Sequence, residues 1–425
     1  MTAFLTFAEA KNWIENIHRF GDKLDLSRMR RACELLGHPE QSFKSIHVAG
    51  TNGKGSTANF IKNILSDAGY KTGIYTSPYV VFFNERIGID DYYISDERLL
   101  DYANFIRGFW EEYQKQYGEV ITFFEVLTLI AFLYYRDEKV DYAVFEAGLG
   151  GLLDATNVIV PEVACITNIS FDHMKQLGST LESIAINKLG IVKEGVPLVS
   201  SIENKHLFPL FYSETAKKKA ELKIIDFTKV DHVSVKQRTT FRYCSETYEL
   251  RLLGYHQVKN ATLAIEVVRT LKQRKRLPIS EENIKNGLLR TSWPGRFEIF
   301  EDKIVLDGAH NIGGIESLRK TLASVYPDQR VICLFCMMAD KEHEKAISEL
   351  DNFVDEFHFT EIDYPRRANA VDLFNESHHP SKYIEVDFKQ AFYRLREKLD
   401  KNEILLITGS LYFVSEIRRL IVGEW

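Results

Sequence analysis

From about residue 44 onward, short, mainly apolar strand-like runs alternate with stretches whose apolar residues recur every three or four positions. Such runs fit buried strands, and the longer period fits amphipathic helices. The runs 43–49, 140–146, 162–169 and 196–200 read as strands, and 57–68, 96–117, 122–137 and 180–193 as helices. On the third helix Phe123, Val126, Leu127, Ile130 and Leu133 form one core-facing stripe. The alternation predicts an α/β fold with a mostly parallel sheet. Between about 222 and 253 the period shortens to two, which predicts antiparallel hairpins appended to that sheet. Helices follow at about 257–271 and 281–289. Trp293-Pro294-Gly295-Arg296 interrupts both periods and marks a boundary. A second α/β unit then starts, with strands at 303–306, 330–335, 354–359 and 403–407, so two domains are expected, 1–294 and 297–425.

Bulk properties narrow the function. A chain of 425 residues with 45% hydrophobic and 27% charged residues is a globular composition. The net charge of −6 supplies no general pull towards nucleic acid or anionic lipid. No apolar run is long enough to span a bilayer, and the first ten residues lack the basic lead and apolar stretch of a secretion signal. The five cysteines are scattered, which fits a reducing cytoplasm. Cys333 and Cys336 lie inside the apolar run Val331-Ile332-Cys333-Leu334-Phe335-Cys336 and read as core residues of a strand.

The chemistry begins where the first strand ends, at Ala49-Gly50-Thr51-Asn52-Gly53-Lys54-Gly55-Ser56-Thr57. Glycines let a tight turn aim several N–H groups at one anion, and the following helix adds its positive end. Lys54 is placed to reach terminal phosphates and a hydroxyl to face Mg²⁺, so the segment predicts an ATP site. Gly55 separates Lys54 from Ser56, which departs from the common GxxxxGK[ST] loop and points to a narrower group. Two further strand ends carry polar groups. Glu146 ends a strand and precedes Gly148, Gly150 and Gly151, so its carboxylate is a candidate Mg²⁺ ligand in the same crevice. Asp172-His173 follows the strand-like 162–169, and Lys188 interrupts an apolar helix; spacing alone leaves His173 between ligand and loop residue and Lys188 between surface and site.

Together these segments resemble folylpolyglutamate synthase/dihydrofolate synthase, a branch of the Mur ligase superfamily. The matching motifs keep family order over nearly the whole chain, from His47–Thr57 through Thr76-Ser77-Pro78, Thr122–Glu125 and Glu146–Asn157 to Asp307-Gly308-Ala309-His310-Asn311 and Thr408-Gly409-Ser410. The resemblance implies a P-loop central domain and a smaller Rossmann-like C-terminal glutamate ligase domain. It also implies an ATP-dependent amide ligase in which a substrate carboxylate becomes an acyl phosphate and L-glutamate attacks it. Asn52, Gly53, Lys54, Gly55, Ser56, Asn260, Arg296 and Asp307 would hold ATP. Ser77, Glu146 and His173 match magnesium ligands, with two Mg²⁺ expected, and Lys188 matches a lysine carried as the CO₂-derived carbamate. Thr122, Phe124, Glu125 and Asp154 fall where the family holds the pterin. Lys54, His173 and Lys188 are the expected catalytic groups. Leu152, Asn187 and Ile312 depart from the family pattern, where arginine, an acidic residue and proline are usual.

The leading expectation is extension of a reduced folate through its γ-carboxylate by a cytoplasmic monomer. Alternatives are addition of glutamate to dihydropteroate, both activities together, or a non-catalytic ATP-binding switch. A cell-wall Mur ligase is disfavoured because only about 45 residues precede the phosphate loop.

Overall fold

The computed structural model describes residues 3–18 and 25–423. Its contacts divide the chain into two compact units, the first formed by Met1–Lys229 with Lys259–Thr291 and the second by Val230–Val258 with Ser292–Trp425.

The first unit is built on eight strands: β1 (Lys44–Ala49), β2 (Thr72–Tyr75), β3 (Ile87–Ile89), β4 (Tyr92–Tyr93), β5 (Tyr142–Glu146), β6 (Val163–Ile166), β7 (Leu198–Ser200) and β8 (Leu222–Ile224). Their order is β4-β3-β2-β5-β1-β6-β7-β8. Every pair from β2 to β8 is parallel, and only the β3 and β4 pairings are antiparallel. In β1 all residues after Lys44 are buried, Ser45 and His47 included, so the strand is covered on both faces. Register then does the decisive work. Val48 pairs with Glu146 and Ala49 with Ile166, so the carboxyl ends of β5, β1 and β6 stop side by side.

The helices follow the expected pattern with shifted ends. Lys54–Asp67 starts straight from the glycine turn and is buried from Gly55 through Leu65. Phe123–Asp137 opens with a capping box, Thr122 to Glu125. Leu181–Leu189 is capped by Thr180 and ends four residues before the expected limit. In the first unit the short strands β2, β3 and β4 escaped the periodicity because two to four residues hold too few alternations to register, and in the second unit the strands at Glu298–Phe300 and Lys382–Asp387 were not expected either.

One expectation is corrected. Of the 222–253 stretch only Leu222–Ile224 joins the first sheet, as parallel β8. The rest forms a separate antiparallel sheet of β9 (Val230–Val235), β10 (Thr239–Tyr243) and β11 (Glu246–Leu250), and it groups with the second unit. Val235 of β9 and Leu253 just after β11 pack into a core with Phe297, Val305 and Leu322.

The second unit's main sheet comprises β12 (Glu298–Phe300), β13 (Ile304–Leu306), β14 (Arg330–Phe335), β15 (Glu356–Glu361), β16 (Lys382–Asp387) and β17 (Glu403–Thr408), in the order β12-β13-β17-β14-β15-β16. All pairings are parallel except β12 with β13. Cys333 on β14 and Cys336 just beyond it are both fully buried and unpaired, as core residues. Among the described residues no helix is long and apolar enough to cross a membrane.

Candidate active site

Beyond the carboxyl ends of β1, β5 and β6 the turn Gly50–Gly53 leads into the helix Lys54–Asp67. Gly50 has φ +149° and Gly53 φ +82°, conformations that side chains disfavour. Space forbids them too: a Cβ on Gly50 would stand 1.8 Å from Thr167 Oγ1, and one on Gly53 would stand 2.3 Å from Asn260 Oδ1. The turn is therefore tight because its neighbours close on it, and Asn260 is one of those neighbours.

Two lysines converge on this turn from different elements. Lys54 Nζ donates to the Thr51 carbonyl at 3.1 Å and lies 3.9 Å from Glu146 Oε1. Lys188 Nζ donates to the Gly50 carbonyl at 2.7 Å. Lys188 is only 4% exposed, because its helix packs on the glycine turn after β5: Leu152 N–H donates to the Asn187 carbonyl at 2.7 Å. Burial, and then the nearby charge of Lys54, pull the Lys188 amine down to about 7, with Asp172 and Asp154 opposing. Burial thus favours the uncharged amine.

Glu146 is buried at the end of β5, and its Oε2 accepts from the Ser77 N–H at 3.3 Å. Ser77, Glu146 and Lys54 thus form one cluster, assembled from β2, β5 and the phosphate turn. His173 stands in a left-handed conformation at φ 50°, about 40% exposed, with Nε2 3.8 Å from Asp172 Oδ2. Its segment is laced to the phosphate turn. Thr51 N–H donates to the Asn168 carbonyl at 3.0 Å and Asn52 N–H to Asn168 Oδ1 at 2.8 Å. The Thr167 hydroxyl donates to the Asn52 carbonyl at 2.6 Å. Thr51 Oγ1 donates to the Ser170 carbonyl and accepts from its N–H, each at 3.1 Å. In sequence Thr167 and Asn168 stand as polar groups at the end of an apolar strand, with no role of their own.

The residues expected at the pterin have local duties as well. Glu125 Oε2 accepts from the Thr122 N–H at 2.7 Å, and both its oxygens face the buried guanidinium of Arg28, at 3.2 and 3.3 Å. Arg28 had no signature in sequence. Phe124 lies over the glycine turn, where a Cβ on Gly148 would come within 2.7 Å of its ring, and its ring centroid is 5.6 Å from that of Tyr75. Asp154 Oδ2 accepts from Leu149 N–H, and Oδ1 from the N–H and hydroxyl of Thr156, so it clamps the turn. Burial raises the Asp154 carboxyl. Leu152 projects from the same turn, 43% exposed.

Arg296 and Asp307 lie in the second unit. Asp307 is buried after β13, accepts from the N–H groups of Phe297 and Ala309 at 2.9 Å each, and is pushed up to about 6 by burial, against the pull of Arg296. Ser56 is buried in the first turn of the helix Lys54–Asp67. Among the described residues no three His, Cys, Asp or Glu side chains gather as a self-sufficient metal cage.

Comparison with known proteins bears directly on this arrangement. The profile of the Mur ligase middle domain matches residues 48–268, and that of the Mur ligase glutamate ligase domain matches residues 295–411. The chain belongs to the Mur ligase family. The first Mur ligase match takes in the phosphate turn, Ser77, Glu146, His173, Lys188 and Asn260, and the second takes in Arg296 and Asp307. This Mur ligase is similar to the dihydrofolate synthase/folylpolyglutamate synthase of Bacillus subtilis, at 38% identity over 98% of this chain and 99% of that one. In three dimensions it is similar to the folylpolyglutamate synthase of Thermotoga maritima, with a TM-score of 0.85 and 32% identity over 98% of this chain and 97% of that one. It is also similar to Escherichia coli FolC in complex with DHPP and ADP, with a TM-score of 0.87 and 26% identity over 100% of this chain and 99% of that one.

Proposed function

We propose that this protein is an ATP-dependent ligase that joins L-glutamate to the γ-carboxylate of a reduced folate through an acyl phosphate. The observation that carries the reading is the convergence of Lys54, Glu146 and Lys188 on the glycine turn at the ends of β1 and β5. A free carboxylate is a poor acylating agent; phosphorylation gives it a leaving group that an amine can displace. Phosphoryl transfer asks mostly for positioning and for positive charge around the moving oxygens. Here the first-turn N–H groups of the helix Lys54–Asp67 and the Lys54 ammonium answer that need, with Gly53, Gly55, Ser56, Asn52 and Asn260 around them.

The donor set suits Mg²⁺. Glu146 offers a buried hard oxygen beside Ser77, and a magnesium site built on one or two protein carboxylates with phosphate oxygens needs no protein cage. Ser77, Glu146 and His173 would hold it; when bound, it would neutralise charge on the phosphoryl oxygens. The buried, partly uncharged amine of Lys188 fits addition to CO₂, in which its lone pair bonds carbon and a proton leaves nitrogen. Thr122, Phe124, Glu125 and Asp154 border the pterin in this reading. The enzyme works on small molecules as a cytoplasmic monomer.

The test is purified protein with ATP, Mg²⁺ and L-glutamate, offered tetrahydrofolate and dihydropteroate separately. The expected result is acceptor-dependent ADP release with a product heavier by one glutamyl residue from tetrahydrofolate. Dihydropteroate as the sole acceptor would shift the assignment to dihydrofolate synthesis, and no product from either would end it.

A further inference from the structure

We propose that Asn168, assisted by Thr167, is a positioning residue that sets the shape of the phosphate turn and ties it to the segment bearing His173. The inference rests on the ligase reading above, and nothing in that reading gives these two residues a role.

The turn Gly50–Gly53 has glycine freedom, so its shape must be imposed from outside. The strap 167–170 imposes it. Asn168 takes both main-chain donors in the middle of the turn, Thr51 N–H on its carbonyl and Asn52 N–H on its side-chain oxygen, at 3.0 and 2.8 Å. Thr167 gives its hydroxyl to the Asn52 carbonyl and fills the space any side chain on Gly50 would need. Thr51 and Ser170 exchange two further bonds. An N–H already given to Asn168 is not turned towards phosphate. The anion is thereby left to the first turn of the helix Lys54–Asp67 and to Lys54, whose own ammonium is set by the Thr51 carbonyl. The strap continues through Asp172 to His173, so the segment that holds the turn also carries the imidazole. Without the Asn168 amide oxygen, the Asn52 N–H loses that hold on the turn, and the nucleotide must bear more of the cost of ordering it.

The test uses Asn168→Ala, Asn168→Asp and Thr167→Val in the full-length chain. For Asn168→Ala, the dissociation constant for the ATP analogue AMP-PCP and the KM for ATP should rise about tenfold, the worth of one hydrogen bond. The KM values for tetrahydrofolate and glutamate should stay within about twofold, and the melting temperature should hold. Amide exchange at Thr51–Gly53 should speed up in Asn168→Ala and return to the slow rate in Asn168→Asp, which keeps an acceptor there. Thr167→Val should give a smaller loss confined to ATP. Unchanged exchange in Asn168→Ala, or a loss shared equally by all substrates with a fallen melting temperature, overturns the proposal. Wild-type protein that fails to bind AMP-PCP sinks the ligase reading instead, and the exchange experiment then still decides whether the strap holds the turn.

Discussion

Two lysines beside one turn show how context divides a single residue type into two tasks. Lys54 is partly open at the start of its helix, 3.9 Å from Glu146, where its side chain can meet phosphate. Lys54→Ala should lower ligation by at least about 10²-fold, the scale for losing one charge-stabilising donor, with an unaltered circular dichroism spectrum. Lys188 is held in a buried site that disfavours its charge. Methionine there keeps the length and removes the charge to be desolvated. Lys188→Met should therefore abolish ligation while leaving the urea midpoint at pH 7 equal to or above that of the wild type. A variant that is both inactive and clearly less stable would show that this lysine serves the fold.

At the scale of elements, the start of the helix Phe123–Asp137 joins a cap, an ion pair and a candidate ligand surface in four residues. The capping box closes the helix end, and Arg28, itself buried, reaches the same carboxylate from the helix Ser27–Leu35. Glutamine at position 125 preserves the cap but withdraws the charge that the guanidinium faces. Glu125→Gln should cost about 3–5 kcal/mol of stability by urea titration, and adding Arg28→Met should recover part of it. Full stability in the single variant would mean that solvent or other neighbours satisfy Arg28. Phe124, between these residues and the glycine turn, holds that turn's approach to the sheet. A substitution there therefore acts on Asp154 and Leu152 as well as on any bound ring.

At the scale of the molecule, buried amines give stability a pH dependence with a definite sign. Lys188 is lowered to about 7 and Lys62 and Lys193 to about 8, in each case chiefly by burial, from an ordinary value of 10.5. Between those values and 10.5 the unfolded chain binds protons that the folded chain does not, so unfolding free energy rises with pH. The urea midpoint in CO₂-depleted buffer should be higher at about pH 9 than at pH 7, and Lys188→Met should flatten that rise; a flat or falling wild-type profile would contradict the burial. The amino-acid sequence alone determined the α/β alternation, the strand ends bearing polar groups and the phosphate turn. Each is a local pattern of burial or backbone freedom that a few consecutive residues express. Only the tertiary structure decided that Lys188 is buried, that Arg28 meets Glu125, that Asn168 grips the turn, and that the hairpins at 230–250 leave the first sheet. Those facts depend on strand register and on which faces pack together, and residues about a hundred positions apart carry no mark of one another until the sheet aligns them.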